Sequence, residues 1–337
     1  MTMNHTMELY SVGTRVWCLI LSIVMYIIGT VGNVLIIWTV ARIRHLRTVQ
    51  NAIVILLALV DLLICGYLQP YSMDILIRNT EPTREFCRFQ AVITAFLFPC
   101  SILFIMIIAL SRYFKICQSQ KYRHVFNIRN LIGATILVCV VSACFCSPLW
   151  FYDELWLFDI PLHSCVVNRY GTILYSTVFT VFVGAGLVVP AGVTSFCYVQ
   201  IYRHVKKARN HLHQHWNNGL ARQKLTNEEM LAKTQFSVFI VYLFMYFPFG
   251  VIAVAGQRSD YPDALHTIAL YLCYMNSCIN CLLYGILNKN MRKAYKDSLF
   301  CFSRKKFIKI APTTISGHIS AGRMSTDPRR IITEMRS

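Results

Sequence analysis

Charge is what this sequence has least of. Only 14% of its 337 residues are Asp, Glu, Lys or Arg, while 56% are hydrophobic. With a mean hydropathy of +0.49, the chain carries far more apolar material than a water-soluble domain of this size uses for its core. Acid is scarcer still: 15 carboxylates stand against 33 Lys and Arg, a formal net charge of +18. Catalytic signatures are missing as well. The chain has no His-Glu-x-x-His, no Gly-x-Ser-x-Gly and no paired aspartate motif, so an intramembrane enzyme would lack its reacting groups. Nor does it repeat itself, either at a fixed period or as two inverted halves with broken polar helices, which counts against the alternative of a polytopic transporter or channel.

What the sequence has instead is seven runs almost free of charge: 16–40, 51–77, 89–110, 131–152, 171–202, 234–257 and 264–288. About 20 helical residues cross a bilayer, so each run is long enough, and an all-α membrane protein is expected. A cleaved secretory signal does not fit the first run, which is too long and leads straight into Ala41-Arg42-Ile43-Arg44. The excess of positive charge could suggest nucleic acid, but it is confined to alternate connections. Arg42, Arg44 and Arg47 follow run one, Lys115, Lys121, Arg123 and Arg129 follow run three, and Arg203, Lys206, Lys207, Arg209, Arg222 and Lys224 follow run five. The segments after runs two, four and six hold Glu81, Glu85, Asp153, Glu154, Asp159, Asp260 and Asp263. By the positive-inside rule the N-terminus is outside and the C-terminus inside, and no nucleic-acid partner is called for.

The organisation expected is residues 1–15 as an extracellular N-terminus, 16–287 as the membrane domain, 288–301 as an amphipathic helix on the anionic inner leaflet, and 302–337 as a basic, Ser- and Thr-containing disordered tail. Asn4-His5-Thr6 offers a glycosylation sequon at Asn4, and Cys301, beside the basic amphipathic stretch, suits palmitoylation. Of 14 cysteines, only Cys87 and Cys165 fall on the expected outer side. An oxidising exterior lets them pair, and most of the others read as small apolar fillers.

Taken in order, single residues in these runs resemble the rhodopsin-like G-protein-coupled receptors over about residues 32–301. They are Gly32-Asn33 in run one, Leu57-Ala58-Leu59-Val60-Asp61 in run two, and Ser111-Arg112-Tyr113 at the end of run three, with Arg112 standing 25 positions after Cys87. Pro190 and Tyr198 follow in run five, Phe247-Pro248 in run six and Asn280-Cys281-Leu282-Leu283-Tyr284 in run seven. The resemblance implies a seven-helix bundle with a short eighth helix, no chemistry of its own, and a plasma-membrane receptor that activates a heterotrimeric G protein. Within the family, Ile116-Cys117, Ser119, Lys121-Tyr122, Asn276-Ser277-Cys278-Ile279-Asn280, Tyr284-Gly285, Leu287-Asn288 and Arg292-Lys293 look like the melatonin-receptor branch. The likeness is strongest on the cytoplasmic side, and it leans toward the inhibitory class of G protein.

Residue by residue, the resemblance implies the following roles. Asp61, a carboxylate at mid-membrane depth that must face the interior, would hold an allosteric sodium ion together with Ser101, Asn276, Ser277 and Asn280, an oxygen-rich set suited to a hard cation; the plainer alternative is a hydrogen-bonded Asp61 that joins helices. Arg112, with Ser111 and Tyr113, would latch to Glu228, 20 positions before Pro248, and be freed as Tyr198 and Tyr284 turn inward. Ile102, Pro190, Tyr242 and Pro248 would relay the change. The ligand would lie among Thr94, Ala95, Phe98, Val167, Tyr246, Phe249, Leu270 and Tyr274.

Several positions depart from the pattern. Ser111 stands where the family commonly has an acid, Cys281 where it has proline, Tyr246 where it has tryptophan, and Gly186 where melatonin receptors have histidine. Thr94 and Tyr274 replace the amine-receptor aspartate and the opsin lysine, so neither an ammonium salt bridge nor a retinal Schiff base can form. A small neutral aromatic or lipid-like ligand suits the lining. Acids at Asp74, Asp153, Glu154 and Asp159 leave a cationic peptide as the other choice. Receptor kinases and arrestin are the expected partners of the tail.

Overall fold

A hydrocarbon exterior offers the backbone no hydrogen bonds, so each apolar run must satisfy its own N–H and C=O groups and becomes a helix. The computed structural model describes residues 11–159, 164–168, 173–215, 219–255, 262–287, 291–296 and 298. Among these, the side chains at 167, 173–183, 185, 211–215, 219–225, 227, 228, 231, 232, 234, 235, 253–255, 263 and 287 lie outside what it describes. Seven long helices appear in the described residues: α1 (Val12–Arg42), α2 (Val49–Arg78), α3 (Arg84–Cys117), α4 (Ile128–Phe151), α5 (Ile173–His215), α6 (Gly219–Ala255) and α7 (Asp263–Leu287). Among described residues α1, α2, α3, α4 and α7 are long and apolar enough to cross a membrane, and α6 contributes the shorter apolar stretch Phe236–Ile252.

Local chemistry sets the helix ends. The side chains of Ser11, Thr48 and Asn127 accept hydrogen bonds from the backbone N–H groups of Thr14, Asn51 and Asn130, capping α1, α2 and α4. Asn79 ends α2 in the left-handed region at φ 52°, a conformation that asparagine tolerates better than most residues. Inside α2 the turn widens to a π form at Ile64–Leu68, directly before Gln69-Pro70. Proline cannot donate to the carbonyl four residues back, and the wide turn accommodates that loss. It was not foreseen from the sequence, nor were Pro99 within α3 and Pro148 within α4 weighed alongside Pro190 and Pro248, all of which lie inside helices.

The helices close into a ring. α1 packs on α2 and α7, α7 on α6, and α6 on α5, while α3 runs through the middle against α2, α4 and α5. One large buried cluster draws on α1 to α7, from Cys18 and Ile36 through Leu57, Phe98 and Tyr198 to Tyr242 and Tyr284. The outside is apolar too: Ile27, Ile136, Leu137, Phe244 and Ile268 are all exposed, as a lipid-facing surface requires. Between α4 and α5 a hairpin of β1 (Trp156–Asp159) and β2 (Ser164–Val167) pairs antiparallel with Phe158 opposite Cys165. Past α7, residues 291–296 are helical, and Met291 and Ala294 pack with Val40 and Leu46.

Close approach of α1 to its neighbours depends on two glycines. A Cβ added at Gly29 would overlap Cys65 of the π turn, and one at Gly32 would overlap Cys281 of α7, through both the sulfur and the Cβ of each cysteine. Gly29→Ala and Gly32→Ala are therefore expected to destabilise the bundle by about 1–3 kcal/mol each through overpacking. Gly133→Ala, which meets nothing within 4 Å, should be neutral. Melting temperatures of the purified variants in detergent check this, and a Gly133 variant as unstable as the other two would remove the packing explanation.

Candidate functional site

The expected site residues fall into three tiers along the bundle axis. At the hairpin end lies an aromatic cup. Phe98 of α3 meets Tyr246 of α6 edge-on at 6.1 Å between ring centroids and tilts against Tyr274 of α7 at 5.6 Å. Thr94 and Leu270 are buried beside them, Phe249 packs on the same core, and Ala95 joins the small cluster beneath the hairpin. The hydroxyls of Thr94, Tyr246 and Tyr274 are buried, with Asn276 beside that of Tyr246 and Ser72 and Ser164 beside that of Tyr274, so the cup presents hydroxyls that the bundle holds at most loosely. Val167 belongs to β2, but its side chain is outside those described.

The hairpin is fastened over this end several times. The Cys87–Cys165 disulfide joins it to α3 with Cα atoms 5.2 Å apart. One turn along, Gln90 donates to Ser164 Oγ at 3.1 Å and accepts from the Cys165 N–H at 3.1 Å. Asp153 accepts from Arg84 at 2.8 Å and also pairs with Arg88, while both guanidiniums lie over the Trp156 ring. The disulfide was expected; Gln90, Arg84, Arg88 and Trp156 were not. Gln90 alone had a signal, since an amide within an apolar run needs a partner.

Halfway down the bundle, Asp61 is fully buried. Asn280 Nδ2 donates to its Oδ2 at 2.8 Å and Ser101 Oγ to its Oδ1 at 3.3 Å. Asn276 and Ser277 are buried in the same stretch of α7, Ser277 lies beside the Asp61 carboxyl, and Asn276 Oδ1 and Asn280 Oδ1 have no hydrogen-bond partner. The α2, α3 and α7 residues singled out from sequence therefore meet at one carboxylate, with oxygen atoms to spare. Such a donor set fits a hard monovalent cation. Asn33 of α1 donates to Gly29 O at 2.9 Å and to Ser277 O at 3.1 Å, tying α1 to the same place.

At the far end Arg112 is only 4% exposed. Its Nη1 donates to Gln50 Oε1 of α2 at 3.0 Å, and Lys115 Nζ donates to that same oxygen at 3.1 Å. Gln50 was missed, because an amide at the start of a run looks like an ordinary solvated helix end. Glu228 lies in α6, but its side chain is outside those described. Ser111 is buried with its hydroxyl unpartnered; Tyr113 leans on Phe196 of α5. Asn4 and Cys301 lie outside the described residues.

An aromatic ladder links cup to arginine. From Phe98 the rings run to Tyr246, then Tyr242 at 5.1 Å, Phe239 at 6.0 Å and Tyr198 at 5.8 Å. Tyr242 and Ile102 are buried, as is Pro190 in α5, and Tyr284 of α7 is buried at 2% exposure. Phe239, Tyr242 and Tyr246 are spaced three and four apart, one face of α6. That spacing was readable, but Phe239 was passed over because it matches no motif.

A lipid-facing ring of helices around a polar and aromatic axis, open to donors at one end and holding a buried arginine at the other, is the architecture of a seven-helix membrane receptor. The chain belongs to the family described as 7 transmembrane receptor (rhodopsin family), whose model matches residues 32–284. It is a multi-pass G-protein-coupled receptor and not an enzyme, and it passes ligand binding to a heterotrimeric G protein without a cofactor. Among curated proteins it is similar to melatonin receptor type 1C of Gallus gallus, 28% identical over 284 residues, which is 82% of this chain and 80% of that protein. Melatonin receptor type 1B of Mus musculus is 30% identical over 277 residues, 80% and 74% of the two chains. Type 1A of Mus musculus is 28% identical over 304 residues, 88% and 83%.

Asn280 is the donor on which Asp61 leans most closely. Asn280→Ala is expected to cost roughly 1.5–3 kcal/mol, the worth of a hydrogen bond to a charged group. It should cost much less in an Asp61→Ala background, where no carboxylate is left to satisfy. Thermal unfolding of the four proteins gives the cycle, and additive losses would show that the two side chains do not interact.

Proposed function

We propose that the chain is a plasma-membrane receptor, N-terminus outside, whose cup takes a small neutral aromatic or lipid-like agonist and whose far end couples to a G protein of the inhibitory class. One observation carries the ligand class: the cup sets three buried hydroxyls, those of Thr94, Tyr246 and Tyr274, beside edge-on and tilted aromatic rings and, among the described residues, no charged side chain. A neutral, flat molecule bearing acceptors satisfies those donors, whereas an ammonium would lose hydration and find no counter-ion. Melatonin, after which the relatives are named, is of this kind and is the first compound to try, although Gly186 leaves the α5 wall without the histidine of that branch. The cationic peptide is less well supported. Asp74 is paired with Arg78, Asp153 with Arg84 and Arg88, and Asp159 is buried.

In the proposed cycle, Asp61 with Ser101, Asn276, Ser277 and Asn280 holds a sodium ion that favours the resting bundle. Agonist in the cup repacks the ladder through Ile102, Pro190, Tyr242 and Pro248. Arg112 leaves its restraints, Glu228 among them, while Tyr198 and Tyr284 move in, and the G protein enters the space this opens. Kinase phosphorylation of the tail would then recruit arrestin; Asn4 is the proposed glycosylation site and Cys301 the proposed lipid anchor.

In cells expressing the chain, a G-protein dissociation assay run first without ligand and then against indoleamines, lipids and basic peptides should respond to a neutral indole or lipid through an inhibitory G protein. A response to basic peptides alone would overturn the ligand class. Silence under all conditions, with the receptor at the surface, would count against coupling by this route. For the ion, Asp61→Asn is expected to abolish the sodium dependence of agonist affinity, and a variant that keeps it would remove Asp61 from the site.

A further inference from the structure

Resting on the reading of Arg112 as the switch, we infer that Gln50 is the residue that sets this receptor's basal activity, as an uncharged restraint in place of the missing acid at position 111. Three features of the geometry point there. Arg112 is buried, and among the described residues it donates to a neutral amide oxygen of α2 at 3.0 Å. Residue 111, the immediate neighbour of the arginine, is a serine whose buried hydroxyl pairs with nothing. The accepting oxygen is shared: Lys115 Nζ lies 3.1 Å from the same Oε1, so two cations converge on one dipole and repel each other across it.

An amide oxygen holds a guanidinium more weakly than a carboxylate does, since charge-assisted pairs between two ions are the stronger class. Lys115 weakens the hold further. On the α2 side the resting state is therefore restrained by less than a carboxylate beside Arg112 would supply, and whatever Glu228 adds from α6, more of the unliganded receptor has Arg112 released than an acid at position 111 would allow. Gln50 is a positioning residue: it bonds Arg112 and Lys115 and acts through the arginine.

The test is nucleotide exchange on a heterotrimeric G protein by the full-length receptor without ligand, at matched surface expression, for four variants. Gln50→Ala should raise basal exchange roughly ten-fold or more, up to full release of the arginine, as expected when one hydrogen bond to a charged group is removed from the resting state. Gln50→Glu, close in size, should lower it below the parent by giving Arg112 and Lys115 a carboxylate. Lys115→Met should lower it as well, by leaving Gln50 to the arginine alone. Ser111→Asp, which puts an acid next to Arg112, is the control on the switch itself.

Opposite shifts for the Gln50 variants support the inference, because a merely structural glutamine would not move activity both ways. Unchanged exchange in both Gln50 variants, with Ser111→Asp quieter than the parent, overturns the role of Gln50 and leaves Arg112 as the switch. If none of the four departs from the parent, Arg112 is not the switch and the inference falls with it. Should Gln50→Ala fail to reach the surface, Gln50→Glu and Lys115→Met decide the matter alone.

Discussion

Everything in this bundle is arranged around a carboxyl group that hydrocarbon cannot solvate. Asp61 is fully buried among helices whose outer faces are Ile, Leu, Val and Phe, and a charge at that depth must find its partners inside the ring. It finds them on α3 and α7, through Ser101 and Asn280. Those two contacts cross-link the middle of the bundle, fix the rotation of three helices about their axes and bring Asn276 and Ser277 into the same neighbourhood. Asn33 adds α1 to the group by bonding the Ser277 carbonyl. A polar centre in an apolar ring thus acts as the register mark for helices that otherwise have only shape to align them.

Where the polar centre is directional, the packing around it is close. Gly29 and Gly32 let α1 lie directly on the cysteines of α2 and α7, and the small sulfur side chains fill space that a larger residue would have pushed apart. Cys65 and Cys278 approach to 3.6 Å and Cys278 also bonds the Met25 carbonyl at 3.2 Å. With Cys281 where the family has proline, α7 keeps an N–H at that position and runs unbroken from Asp263 to Leu287. The interruptions of helical hydrogen bonding therefore lie elsewhere, in the π turn of α2 and at the prolines within α3 to α6.

The sequence disclosed residues whose chemistry is improbable in a membrane, and concealed those whose chemistry is ordinary. Asp61 was legible because a carboxylate in a 27-residue apolar run, 51–77, must have a purpose. Cys87 and Cys165 were legible because only they face an oxidising side. Gln50, by contrast, is one polar residue at the end of a run, and nothing in one dimension says that it reaches Arg112, 62 residues away. The Asp153, Arg84, Arg88 and Trp156 knot is of the same sort, since charged and aromatic residues near loops are usually solvated singly. Phe239 was hidden for another reason: one phenylalanine among many gains meaning only when its rings are seen to fall in line with Tyr198 and Tyr242.

Among the described residues the two ends of the axis are fastened very differently, and in the proposed cycle that difference sets which end moves. At the cup, a disulfide, two hydrogen bonds to Gln90 and an aspartate shared by two arginines over a tryptophan all fasten the hairpin to α3. These ties are independent, so losing one leaves the rest in register. At the arginine, among the described residues, Arg112 and Lys115 share the Gln50 amide oxygen. A ligand contributes only the difference between its affinities for two arrangements, and 1.4 kcal/mol of difference moves the populations about ten-fold. Energy put in at the rigid end has little freedom to disperse there, whereas the loosely held end yields to it. The ladder from Phe98 to Tyr198 is the packed structure between the two, and interior packing passes on small displacements rather than absorbing them. In the proposed cycle, a bundle tight above and lightly latched below responds to a ligand by opening below.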